Sequence, residues 1–345
     1  MSVSSPRPRP ALRYWLTALA AMLALWAALF WAPVGQEARM HGTIGSDYVK
    51  SAWIYDRLRH DDTPIDIAFF GSSRMLQAVD AGRLETALNA GSASGLHVEN
   101  LAIPGLGRDS ELLLVRELLA AKRPRLAVFE IDYLEAAEPN GGFPLLTSGP
   151  ELLGMPLLIN RDLPYDLLFV PAHNLRLLWD ELRGADRFDP ARYAGLHWNG
   201  TEFNRGANGQ ISGPRSLYLP ADRLRRDAAQ WAGNLRRKAR QYDSWAWLEL
   251  RYNEVLMQRL LETVKQSGTR IVFLYMPPVG MAEPPFHQAM LRQYGDIWSL
   301  PADIEGDNRL WLNPTHPNLF GARRISDWLA GRLAGELAHG ALPPR

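Results

Sequence analysis

Residues 63–75 read "TPIDIAFFGSSRM", and the fold prediction starts from this stretch. Positions 65–70 form a short apolar run that is flanked by turn formers, ends at Gly71 and is followed by apolar residues at helical spacing. This pattern predicts a buried strand, a tight turn and a helix. Ser73 then begins the helix at the carboxyl edge of a sheet, either as a nucleophile or as a helix cap.

The same pattern recurs along the chain. Further strands are predicted in "LHVENLAIPG" (96–105), "RLAVFEIDYLE" (125–135) and "RIVFLYMPPV" (270–279), with helical patterns between them. Alternation of strand and helix predicts parallel pairing with helices on both faces of the sheet. We therefore predict an α/β protein, a three-layer α/β/α sandwich around a mostly parallel sheet.

Residues 136–240 interrupt this alternation with many Pro, Gly, Trp and Arg residues. We interpret them as an insertion that forms a lid or a partner surface within a domain spanning residues 64–340. Its arginine runs can bind an acidic or phosphate-rich polymer, or they can form an ordinary solvated helix face. Its aromatic residues can stack on sugars or belong to the core.

Residues 14–34 contain no charged side chain and are long enough, as a helix of about 30 Å, to cross a bilayer. Three arginines precede them, which places residues 1–13 in the cytoplasm and the main domain outside. A cleaved signal peptide is the alternative, but the apolar stretch exceeds the usual length and no convincing cleavage site follows. We predict a retained single-span anchor, joined to the domain by a connector at residues 35–63.

Composition excludes several classes of function. The 345 residues carry a formal net charge of +1, which gives no field for binding nucleic acid. The absence of cysteine excludes disulfides, thiolate nucleophiles and cysteine-ligated zinc. No set of histidines and carboxylates has convincing ligand spacing, and "GLG" at 105–107 lacks the rest of a dinucleotide fingerprint. We expect neither a metal nor a cofactor.

Two further positions can carry chemistry. Gly105, after the second predicted strand, is either an oxyanion donor through its N–H or a turn glycine with positive φ. His316 lies between two prolines in "NPTHPN", on a loop before the last helix. Such a histidine is a well-placed general base or a plain surface residue.

Taken in order, "GSSR", "NLAIPG" and "NPTHPN" resemble the three blocks of the SGNH (GDSL-like) hydrolase superfamily. The resemblance covers roughly residues 64–135 and 268–335. It implies that Ser73 is the nucleophile and His316 its base, and that the amides of Ser73 and Gly105 form the oxyanion hole.

The chain departs from the family pattern twice. The family's third block supplies an oxyanion donor from an Asn, whereas "FEIDYLE" offers only a loose match at Asp132. The family's Asp three residues before the histidine is Asn313 here. The site is therefore a slow Ser-His-Asn enzyme, an enzyme whose acid comes from elsewhere (Asp303 and Asp307 are nearest in sequence), or a silent member.

The "GSSR" variant and the N-terminal span are similar to the membrane-anchored branch of the superfamily, which includes proteins of alginate and cellulose O-acetylation and of teichoic acid D-alanine transfer. The resemblance implies O-acylation, acetylation first, of an envelope or exported polysaccharide beside a membrane-bound O-acyltransferase. It also implies a bacterial inner-membrane location with a periplasmic domain. A catalytically silent partner of the acyltransferase and a free-standing envelope esterase are the alternatives.

Overall fold

The computed structural model describes residues 10–44, 46, 48–90, 95–134, 141–184, 218–241 and 247–338. The helices are α1 Pro10–Phe30, α2 Gln36–His41, α3 Lys50–Arg59, α4 Ser73–Ala78, α5 Ala81–Asn89, α6 Arg108–Ala121, α7 Phe143–Leu146, α8 Gly149–Leu153, α9 Leu163–Leu182, α10 Ala221–Arg240, α11 Trp247–Gln266, α12 Gln288–Leu291, α13 Ala302–Glu305 and α14 Leu319–Ala338. The strands are β1 Ile67–Phe70, β2 Val98–Asn100, β3 Leu126–Ile131, β4 Arg270–Tyr275, β5 Gly295–Ser299, β6 Trp311–Asn313 and β7 His316–Pro317. Short 3₁₀ turns occupy Leu157–Ile159 and Asn308–Leu310.

Five of the strands form one parallel sheet in the order β2-β1-β3-β4-β5. The predicted α/β class and parallel pairing are confirmed, and each of the four predicted strands lies within its predicted segment. The fifth strand, β5, was not predicted. Trp298 is its one buried residue, so the short apolar run that marks the other strands is missing.

Side chains of β1 alternate between two apolar clusters, as the pleat of a strand requires. Ala68 and Phe70 join a cluster that includes residues of α6 and α11. Ile67 and Phe69 join a second cluster that includes residues of α5 and α14. Every residue of β1 is consequently buried, and the strand is fixed along its whole length.

The first helix is long and apolar enough to cross a membrane: Leu12–Phe30 has a mean hydropathy of 1.5, and Phe30 at its end is the one residue of this range that is buried in the protein. This helix is consistent with the predicted single-span membrane anchor. Residues 1–9 of the predicted cytoplasmic segment lie outside the described residues.

The predicted insertion contains helices α7 to α10, and its residues 136–140 and 185–217 lie outside the described residues. Its arginine runs fall on α10, which buries Leu224 and Leu235. Exposed ion pairs join Arg223 to Asp227 and Arg226 to Asp222 on the outer side. This pattern favours the solvated helix face, while the domain boundaries and a lid or partner role stay predictions.

Candidate functional site

The two serines in the turn after β1, Ser72 and Ser73, occupy different positions relative to α4. Ser72 is the N-cap of α4, where its hydroxyl accepts from the Arg74 N–H at 3.3 Å. Ser73 occupies the first helical position instead, at the carboxyl end of β1. Ser73 itself is therefore not the cap, and its hydroxyl is available for other contacts.

The buried carboxylate of Glu130 stabilises this turn through hydrogen bonds. Glu130, in β3, accepts from the N–H groups of Ser72 at 2.8 Å and Met75 at 3.0 Å, and from the Ser72 hydroxyl at 2.9 Å. It also accepts from Arg74 Nε at 2.9 Å. Burial opposes the charge, but the Arg74 guanidinium and the Ser72 hydrogen bonds outweigh it and hold the pKa of Glu130 below its ordinary value.

Arg74 extends the same network to the neighbouring strand ends. One terminal nitrogen lies 3.1 Å from Asp132 Oδ2, just beyond β3, and the other donates to the Met276 carbonyl at 2.9 Å, just beyond β4. Asp132, the loose match to the family's third block, thus contacts the residue that follows Ser73. The carboxyl ends of β1, β3 and β4 are tied together around the serine.

Ser73 and His316 meet although 243 residues separate them. Ser73 Oγ lies 2.8 Å from His316 Nε2, within hydrogen-bond distance. His316 begins β7, which pairs antiparallel with β6 and precedes α14. This short hairpin carries the histidine back to the sheet edge where β1 ends.

Asn313 faces the other nitrogen of the imidazole. Its Oδ1 accepts from the N–H groups of Thr315 and His316, each at 2.9 Å, and lies 3.1 Å from His316 Nδ1. An amide oxygen can only accept, so Nδ1 carries the proton and Nε2 accepts from the Ser73 hydroxyl. Thr315 Oγ1 lies 2.9 Å from Nδ1 and 3.1 Å from the Asn313 oxygen, and completes the contact.

The two acids nearest in sequence are engaged elsewhere. Asp303 forms an exposed ion pair with Arg324 at 2.9 Å, and Asp307 caps the following 3₁₀ turn and binds Arg309 at 2.7 Å. The contacts described for His316 Nδ1 are those with Asn313 and Thr315.

Gly105 lies in the loop after β2 with φ +62°, as a turn glycine does. Among the residues that the structure describes, the backbone N–H groups of Gly105 and Ser73 have no hydrogen-bond acceptor. Neither amide is thus engaged by a described residue, which is one requirement for an oxyanion donor.

Two residues that sequence reasoning missed hold the β2 loop. The Lys50 amine is fully buried and donates to the carbonyls of Asn100 at 2.5 Å and Ala102 at 2.9 Å. Burial lowers the pKa of Lys50 to about 7, against the opposing influence of Glu99. The Asn100 side chain donates to the Val79 carbonyl at 2.9 Å, so the loop that bears Gly105 is fixed to the end of α4.

The described part of the chain contains no group of three or more histidines and carboxylates that could hold a metal ion. No protein-family model matches this sequence. No curated protein matches it either. The SGNH resemblance therefore rests on the motifs around Ser73, Gly105 and His316, and it stays a prediction.

Proposed function

We propose that the protein is a membrane-anchored SGNH-like serine acyltransferase or esterase, with the three-layer α/β/α sandwich of that superfamily. One observation carries the proposal: Ser73 Oγ lies 2.8 Å from His316 Nε2 at the carboxyl edge of a parallel sheet. Open α/β folds place their sites at this edge, and a nucleophile within hydrogen-bond distance of its base is the signature of covalent catalysis.

The first step forms an acyl-enzyme. Ser73 Oγ attacks the carbonyl carbon of an acyl donor while its proton passes to His316 Nε2. The amides of Ser73 and Gly105 stabilise the negative charge on the carbonyl oxygen. The tetrahedral intermediate then collapses, the bond to the leaving group breaks, and His316 returns the proton to the leaving oxygen.

The second step regenerates the serine. A hydroxyl of the acceptor gives its proton to His316 Nε2 and attacks the acyl carbon, and Ser73 leaves with the proton that His316 returns. A glycan hydroxyl gives O-acylation, with acetylation as the expected form. Water gives ester hydrolysis by the same chemistry.

The membrane helix sets the proposed location and partners. With α1 in the bacterial inner membrane and the arginines before it in the cytoplasm, the domain lies in the periplasm. There it can take an acyl group from a membrane-bound O-acyltransferase and pass it to an envelope or exported polysaccharide. We propose no role in nucleic-acid binding.

Asn313 favours a second candidate function. An amide can orient His316 but carries no charge to offset the imidazolium that forms when Ser73 loses its proton. A protein with this defect can serve as a silent partner that binds the acyltransferase or the glycan without turnover.

Labelling with a fluorophosphonate separates the two candidates. The full chain in detergent should be labelled covalently, and Ser73→Ala and His316→Ala should abolish or strongly reduce labelling. Ser148→Ala is the control, because Ser148 is likewise a half-buried serine at the start of a helix, but its hydroxyl is engaged with Glu151 in the capping box of α8. A wild type that stays unlabelled while folded would refute the enzyme and support the silent partner.

A further inference from the structure

A row of exposed apolar side chains runs the length of α9. Its members follow one another at spacings of three and four residues, which places them on one face of the helix. They are Tyr165, Leu168, Ala172, Leu175, Trp179 and Leu182. We call this row the α9 stripe. Leu168 is 70% exposed and Leu182 is 81% exposed, so the stripe is uncovered by the described part of the chain.

The opposite face of α9 already packs on the domain. Val170, Pro171 and Leu177 are buried there. A helix in contact with solvent normally carries polar residues on the face away from the core, and α9 carries apolar residues on both. Just before the helix, Leu158 is fully exposed in the 3₁₀ turn. A row of exposed apolar side chains along a whole helix is the kind of surface that binding faces carry.

The position of α1 indicates what covers the stripe. Trp26 Nε1 donates to the Leu167 carbonyl of α9 at 3.1 Å, and Asn174 of α9 donates to the Leu29 carbonyl at 2.7 Å. Phe30 is buried at the end of the span, whereas the side chains of residues 12–25 are exposed. The last turns of α1 are therefore hydrogen-bonded to α9.

We propose that α9 is an interfacial membrane helix whose stripe contacts the acyl chains of the leaflet from which α1 emerges. A helix fastened to the end of a membrane span lies at the level of the lipid headgroups. Trp179 stacks under the Arg183 guanidinium at 4.5 Å, and aromatic and basic side chains are those that anchor helices at the boundary between headgroups and acyl chains. The catalytic domain would thus be held against the membrane by two elements, in a fixed orientation.

This inference rests on the membrane anchoring included in the proposed function, but not on its chemistry. The absence of cysteine makes site-directed spin labelling straightforward. Leu168→Cys, Leu175→Cys and Leu182→Cys of the full chain are labelled one at a time in lipid nanodiscs. Leu19→Cys in α1 is the reference for lipid, and Ala87→Cys on the exposed side of α5 is the reference for water.

Accessibility to oxygen, which concentrates in lipid, and to a water-soluble nickel chelate then identifies the surroundings of each label. We expect the three stripe positions to match Leu19→Cys, with high oxygen and low nickel accessibility. Low accessibility to both probes would mean protein contact, with residues 185–217 or a second copy, and would overturn the proposal. High nickel accessibility at the stripe with Leu19→Cys in lipid would overturn it too, whereas water around Leu19→Cys would instead refute the anchoring.

Discussion

Replacing Asn313 with aspartate tests the chemistry of the site directly. The Asn313 oxygen accepts two backbone N–H groups and faces His316 Nδ1, and a carboxylate oxygen can take the same position. The backbone donors stay in place whichever residue stands there. Asn313→Asp therefore adds a negative charge beside the imidazole without rebuilding the hairpin, and we expect it to accelerate acyl transfer.

The size of the gain follows from Coulomb's law. A carboxylate whose oxygen lies 3.1 Å from Nδ1 has its charge about 5 Å from the centre of the imidazolium. The attraction is about 3 kcal/mol at an effective dielectric constant near 20 and about 1 kcal/mol in bulk water. These limits correspond to rate gains of about 200-fold and about 5-fold. Asn313 and His316 are both half-buried, which places the expected gain between the limits, at about 10-fold or more.

The assay is the hydrolysis of a p-nitrophenyl ester by the full chain in detergent, with Ser73→Ala as the blank. The added carboxylate also favours the imidazolium, so the pH at which activity is half-maximal should move upward in Asn313→Asp. Asn313→Ala should be slower than the wild type, because it removes the acceptor that orients His316. If Asn313→Asp is folded and no faster than the wild type, and its pH profile is unchanged, the assignment of the His316–Asn313 contact to catalysis is refuted.

Two further substitutions test the buried groups beside the site. Glu130→Gln should lower the free energy of unfolding by about 1–3 kcal/mol, because it removes the buried charge that pairs with Arg74 and accepts the N–H groups of Ser72 and Met75. It should also slow fluorophosphonate labelling of Ser73. Thermal melting compares it with Glu117→Gln, which removes a more exposed carboxylate, and equal melting temperatures would contradict the role of Glu130. Lys50→Met should remove a pH dependence of the stability. Burial lowers the pKa of Lys50 from 10.5 to about 7, so between these pH values the unfolded chain binds more protons than the folded chain. The wild type should therefore gain stability as the pH rises from about 7 towards 10.5. A variant that keeps the wild-type slope of melting temperature against pH would contradict this explanation.

The sequence predicts the sheet well where strands are buried on both sides. Ile67–Phe70 and residues 271–275 are continuous apolar runs, since these parts of the central parallel strands are buried on both sides. The helix α9 shows where the same reasoning fails. Apolar residues on both its stripe and its core face obscure the helical periodicity, and Pro171 inside it suggests a break, so the sequence does not predict a helix there.

That Ser73 and Gly105 each follow a strand of the parallel sheet could be predicted from the order of the segments, because parallel strands bring their carboxyl ends to one edge. The residues that hold them could not. Glu130 lies inside a buried strand, and Lys50 lies at the start of a helix in the predicted connector. Their neighbours in the sequence do not indicate which groups they bind. Those groups are backbone amides and carbonyls, which every residue carries, so only the folded chain shows which ones converge.

The geometry of Asn313 also bears on how the wild type should be assayed. In serine proteases the change of the triad acid to its amide costs about 10⁴ in turnover, because the histidine adopts the wrong tautomer. Here the N–H groups of Thr315 and His316 hold the amide oxygen towards the ring, which keeps the proton on Nδ1. Only the charge is then missing, and its loss slows the attack of Ser73 without misdirecting it. A single covalent event, such as fluorophosphonate labelling, should therefore reveal Ser73 as a nucleophile even where multiple turnover is slow.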